Sequence, residues 1–186
     1  MISVADLWMP ILLSAVIVFF ASSVLHMVLK YHRSDYRALP GEDAVLAALR
    51  SHNAGKGQYM FPYCSDMSLL KGDAMQKKFR EGPVGMLTLR DPGVISMGPM
   101  LGAWFLYLIV VALLVGYVAG VVLPRGTEFM MVFRVVSATA WLAFAAAHVS
   151  QAIWQSKPWP SVIKEVIDGL VYALLTAGVF GWLWPR

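Results

Sequence analysis

The sequence predicts an all-α integral membrane bundle of four transmembrane helices, with a cytoplasmic insertion between the first and second. Four apolar runs, Trp8–Leu29, Met100–Leu123, Phe129–Trp154 and Val162–Trp184, each reach the length of about 20 residues that a helix needs to cross a bilayer. Hydrophobic residues make up 59% of the chain and charged ones 14%. A soluble domain carries about 25% charged residues, so a single aqueous core could not hide this much apolar surface. The Lys and Arg residues also fall mainly on one side of the runs, which sets an orientation.

The first run, 8–29, could be mistaken for a secretory signal because Ala21-Ser22-Ser23 places small residues near its end. A signal peptide carries positive charge ahead of its apolar stretch. Here the leader holds Asp6 and no Lys or Arg, so the run reads as a retained helix. Lys30, Arg33 and Arg37 follow it, Lys77, Lys78, Arg80 and Arg90 precede the second run, and Lys157 and Lys164 lie between the third and fourth. Only Arg125, Arg134 and Arg186 fall on the other side. Positive flanks stay cytoplasmic, which puts both termini outside and residues 31–98 inside. The net charge of +4 is therefore a topology signal, not a nucleic-acid surface.

The insertion, 31–98, is marginal in size as an independent domain and is expected to pack on the cytoplasmic end of the bundle. Glu42–His52, after Pro40-Gly41, and Asp73–Arg80, before Glu81-Gly82-Pro83, read as short helices; Gly85–Arg90 reads as a short extended piece. Met60, Phe61, Tyr63, Met67, Leu69 and Leu70 would remain partly uncovered, near the membrane interface. Gly55-Lys56 lacks the second glycine and the following Ser or Thr of a phosphate loop, so nucleotide binding is not expected. A single cysteine, Cys64, allows neither an internal disulfide nor a Cys-x-x-Cys pair.

The second and fourth runs carry small residues at four-residue spacing, which lets helix backbones approach closely in lipid. In the second run these are Ala112, Gly116 and Gly120; in the fourth, Gly169, Ala173, Ala177 and Gly181. Packing within the bundle and a homo-oligomer seam both fit such stripes. The third run is Ala-rich, with Thr139, Ala143 and Ala147 in step, and is expected at the centre of the bundle. Trp8, Trp104, Trp154, Trp159, Trp182 and Trp184 sit at or near run ends, as headgroup anchors do.

Ionisable residues within apolar runs are functional candidates because each carries a desolvation cost. They are His26, His148, Asp168 and Arg134, with Glu165 and Gln151 nearer the surface. His26 lies about 6 Å inward of Lys30, Asp168 about 6 Å inward of Lys164, and His148 about 9 Å inward of Trp154. All three reach one depth of the cytoplasmic leaflet and can meet.

Three readings compete for this set. It can be a structural imidazole–carboxylate lock, a proton relay or cation site on a transport path, or a haem or metal site between His26 and His148 with Asp168 or Glu165 as third ligand. Glu165 and Asp168 can also serve only as acidic residues near a helix start. Arg134 can snorkel outward or pair with Glu128 or Asp6. His32 and His52 are expected to be cytoplasmic and solvated. No His-Glu-x-x-His, Gly-x-Ser-x-Gly or His-cluster pattern supports a protease, hydrolase or di-iron enzyme.

Gly57-Gln58-Tyr59-Met60-Phe61-Pro62, the run Glu81–Thr88, the run Asp168–Gly178 and the final Trp182-Leu183-Trp184-Pro185 together resemble a family of small four-helix bacterial inner-membrane proteins with no known activity. That resemblance implies a bacterial inner-membrane location and offers no catalytic residues. The sequence thus leads to a non-enzymatic accessory or assembly module, alone with lipid, as a homo-oligomer or in a larger membrane complex. Its rivals are a small transporter or channel subunit and a haem, metal or quinone redox protein. No resident cofactor is called for, with haem or a metal ion left open.

Overall fold

The computed structural model describes residues 2–186 and is mostly helical, in keeping with the all-α class. Six α-helices are interrupted by one pair of strands: α1 Trp8–Ser23, α2 Glu42–Ser51, β1 Gly57–Phe61, α3 Asp73–Glu81, β2 Gly85–Leu89, α4 Met97–Val122, α5 Phe129–Gln155 and α6 Trp159–Trp182. The chain divides into two compact units. One holds the residues up to Tyr36 with Ser96–Ala152 and Lys157–Arg186, and the other holds Arg37–Ile95 with Ile153–Ser156.

In the first unit, Ser3 starts the chain into its helix with reciprocal side-chain and backbone bonds to Ala5 and Asp6, a capping box over the short 3-10 turn Val4–Leu7. Three helical segments, Val4–Val28, Met97–Val122 and Phe129–Gln155, are long and apolar enough to cross a membrane. Only 28%, 39% and 28% of their most apolar windows is buried within the protein, so most of that surface faces outward. Lipid tolerates such a surface where water would not. The expected four spans are thus clear for three. The fourth helix, α6, forms over Trp159–Trp182 but is not among these three segments.

The Ala-rich α5 was the expected centre, yet the most extensive backbone packing is that of α1 with α6 and with α4. The bulkier α5 contacts run through side chains to both α4 and α6: Tyr107 rests edge-on against Phe144, and the Trp141 indole donates to the Val166 carbonyl at 3.3 Å. The core shared by these helices includes Leu7, Val18, Leu108, Val115, Val136 and Phe180.

The small-residue stripes sit at real close approaches. Ala173 and Ala177 are fully buried. A Cβ on Gly116 would come within 3.2 Å of the Phe180 ring, and one on Gly169 within 3.2 Å of Ala145. A Cβ on Gly181 would come within 2.7 Å of the Phe129 ring. Gly120 is the tightest against backbone, its added Cβ falling 2.7 Å from the Ile2 carbonyl oxygen, while its own carbonyl accepts the Ile2 N–H at 2.9 Å. Asp6 pairs with Arg125 at 2.7 Å, not with Arg134.

The second unit has its own local logic. Gly41 takes a left-handed φ of 65° after Pro40 and opens α2. The extended piece at Gly85 is a strand, and it finds an antiparallel partner in β1, pairing from Gly57 with Leu89 to Phe61 with Gly85. An exposed Lys56–Asp91 ion pair at 2.9 Å lies beside the end of this pairing. Met60, Tyr63, Met67 and Leu69 remain exposed.

Gly120→Ala should lower the detergent melting temperature, with a packing cost of about 1–3 kcal/mol set against about 1 kcal/mol of gained helix propensity. Gly102→Ala, in the same helix with nothing near its added Cβ, should be neutral or stabilising. Equal effects of the two substitutions would show that the Ile2 approach is not tight.

Candidate functional site

The first apolar helix does not simply end. After α1 the backbone widens into a π turn over Val24–Val28, extends at Leu29, and re-enters a 3-10 turn over Lys30–Asp35. A 3-10 turn eclipses residues three apart. His32 and Asp35 are so aligned, and His32 Nδ1 lies 2.6 Å from Asp35 Oδ2. The turn packs on the first half of α6, whose start is set by Pro158 and Pro160. From there Ser161, Lys164, Asp168 and Tyr172 recur at helical spacing and lie along one face.

Asp168 is the centre of the site, with only 3% of its surface exposed. The Tyr31 hydroxyl donates to its Oδ1, and His32 Nε2 lies 2.7 Å from Oδ2. His26, from the π turn, lies 3.7 Å from the same oxygen and stacks on His32 with ring centroids 4.4 Å apart. The Tyr172 hydroxyl is 3.3 Å from His26 Nε2. Both ring nitrogens of His32 face carboxylates, an arrangement that the doubly protonated ring satisfies at both ends and either neutral tautomer at only one.

Lys164 fastens the turn to α6. Its Nζ donates to the Tyr31 carbonyl at 2.8 Å, to Ser34 Oγ at 2.7 Å and to Asp35 Oδ1 at 2.7 Å. Ser161 adds a hydroxyl to Asp35 at 3.1 Å. Burial raises the Asp35 carboxyl, but the bonds from Lys164, His32 and Ser161 outweigh it and hold the group down at about 2. Burial first, then the bond to Asp168 and its charge, push the Tyr31 hydroxyl far above its usual range, so it remains a donor.

A second cluster lies beside the first. Lys157 Nζ sits 2.6 and 2.7 Å from the two Glu165 oxygens and 3.0 Å from Gln151 Oε1. His148 Nδ1 is 3.1 Å from Glu165 Oε2 but off the hydrogen-bonding direction, so this buried nitrogen has no bonded partner among the described residues.

Two cavities join these groups. The inner one, about 220 Å³, has His26, His148, Glu165 and Asp168 on its polar side and an aromatic wall of Trp104, Tyr107 and Tyr172. The outer one, about 270 Å³, is lined by His26, His32, Asp35, Lys157 and Glu165. Each has room for several waters. Two turns farther along α6, where Thr176, Ser14, Val18 and Leu108 meet, the interior has no room for a water molecule.

Of the residues singled out in the sequence, His26, His148, Glu165 and Asp168 therefore surround one cavity, and Gln151 joins through Lys157. His26 stands by Asp168 and His148 by Glu165. His32 was expected to be solvated; its side chain is only 14% exposed, because the 3-10 turn folds it between Asp35 and Asp168. His52 is exposed. Tyr31, Asp35, Ser161 and Tyr172 were missed, and Lys157 and Lys164 were read only as topology markers. The usable signal was the His32–Asp35 spacing next to an apolar run.

Asp35→Asn should destabilise the protein at neutral pH. A depressed carboxyl contributes stability that is complete above its unfolded value near 4 and is lost as pH falls through its folded value. The gap in melting temperature between the native chain and Asp35→Asn should thus stay constant from pH 7 to about 5 and close toward about pH 2. A gap that widened on acidification would contradict the Asp35 geometry. No protein-family model, curated protein or solved structure matches this chain, so the chemistry of the site is read from its own geometry.

Proposed function

We propose that the chain is a four-span bacterial inner-membrane protein, a small transporter or channel subunit, in which the Asp168 cluster takes up a cation from the cytoplasmic side. In this reading α6 is the fourth span, both termini lie outside, and the segment after Tyr36 is cytoplasmic, as the placement of Lys and Arg favours. The observation that carries it is the pair of cavities. They share His26 and Glu165 and bring room for water to Asp168, while the packing around Thr176 leaves none. A polar site with room for water on one side and tight packing on the other is what an ion path needs in one of its resting states.

The accessory-module reading draws less support. Gly120, Gly169 and Gly181 already meet Ile2, Ala145 and Phe129 of the same chain, which leaves less of the small-residue stripes for a partner. A purely structural lock accounts for the bonds around Asp35 and Asp168 but not for the two cavities beside them, each with room for several waters.

Reconstituted in liposomes, the native chain should pass protons or a divalent cation above the level of empty vesicles, read by an internal pH- or metal-sensitive dye. Asp168→Asn, which keeps the shape and loses the charge, should reduce that flux by about tenfold or more while the protein still elutes as a folded species. A native chain with no flux of either kind would sink the proposal.

A further inference from the structure

We propose that His26, His32 and Asp168 form a binding site for a divalent first-row transition-metal ion. The inference rests on the reading of this cluster as a cation site and names the cation. One ligand atom from each residue lies within 4.8 Å of the others. In a four-coordinate site with bonds of about 2.0–2.1 Å, neighbouring donors stand about 3.3 Å apart. His32 Nε2 and His26 Nε2 lie 2.7 and 3.7 Å from Asp168 Oδ2, on either side of that spacing. Side-chain shifts on the order of 1 Å close the set around an ion.

The surroundings are those of a metal site as well. A ligating imidazole normally gives its other nitrogen to a carboxylate, which orients the ring. His32 does this with Asp35 at 2.6 Å, and Asp35 is itself fixed by Lys164 and Ser161. Tyr31 occupies one oxygen of Asp168 and leaves the other toward the two imidazoles. Two imidazoles and one carboxylate suit Zn²⁺, Fe²⁺ or Co²⁺, whereas Mg²⁺ and Ca²⁺ favour oxygen ligands throughout. His26 and Asp168 also border the inner cavity, which leaves a position for water or for exchange. The neighbouring Glu165 cluster does not compete, because Lys157 already supplies the positive charge there.

The probe is Co²⁺, titrated into the full-length, detergent-solubilised protein after chelator treatment. One Co²⁺ per chain should bind with the visible ligand-field absorption of a nitrogen–oxygen site, and Zn²⁺ should displace it. His32→Ala and Asp168→Asn should lose that absorption, and Asp35→Asn should weaken binding by about 10- to 100-fold while keeping the spectrum. His52→Ala and His148→Ala should bind as the native chain does. Where the Asp168 variant fails to fold, His26→Gln, at a side chain 48% exposed, carries the test in its place. No absorption with the native chain, or absorption that survives in the His26→Ala, His32→Ala double variant, overturns the site. Tight Co²⁺ binding without flux in liposomes keeps the metal and removes the transport reading. Proton flux that depends on Asp168 without Co²⁺ binding does the reverse.

Discussion

The structure depends on one buried carboxylate. Asp168 sits on α6 with almost no exposure, and a charge taken out of water is stable only where donors replace its hydration. Those donors come from far along the chain, on the turn that follows the first apolar helix. Removing one member of such a pair typically costs about 3–5 kcal/mol, because the other remains charged and alone. The need to satisfy Asp168 therefore draws the turn Lys30–Asp35 against α6.

The same requirement explains why the polar residues gather at one end of the bundle. Lys164 neutralises Asp35 and Lys157 neutralises Glu165, so each carboxylate of α6 or of the turn has a cation or an imidazole within reach. What remains unmatched among the described residues is small: the buried Nδ1 of His148, on the wall of the inner cavity. Incomplete pairing next to a space with room for water is where a ligand gains most, since it supplies contacts that the protein alone leaves unmade.

The long helices were legible because hydropathy reports directly on solvent, and the stripes through Gly120 and Gly169 were legible because close backbone approach demands small residues. The depth argument brought His26, His148 and Asp168 to one level because rise per residue is fixed in a helix. It failed for His32 and Asp35, which lie beyond the apolar run where hydropathy predicts only solvent. Their position depends on a π turn and a 3-10 turn, neither of which has a hydrophobic period to read. Strand β1 was hidden for a similar reason: Gly57–Phe61 gains its identity from its pairing with β2, not from its own alternation.

The widened turn at Val24–Val28 accommodates one more residue than an α-helix would over the same rise. A residue excised from that turn would leave the chain beyond it in phase, whereas one excised from the regular winding of α1 would swing everything downstream by about 100° around the axis. Tyr31, His32 and Asp35 would then miss α6 altogether, although every one of them would still be present. A length change of one residue in α1 is therefore as disruptive to the site as losing one of its side chains, whereas the π turn is where such a change can be absorbed.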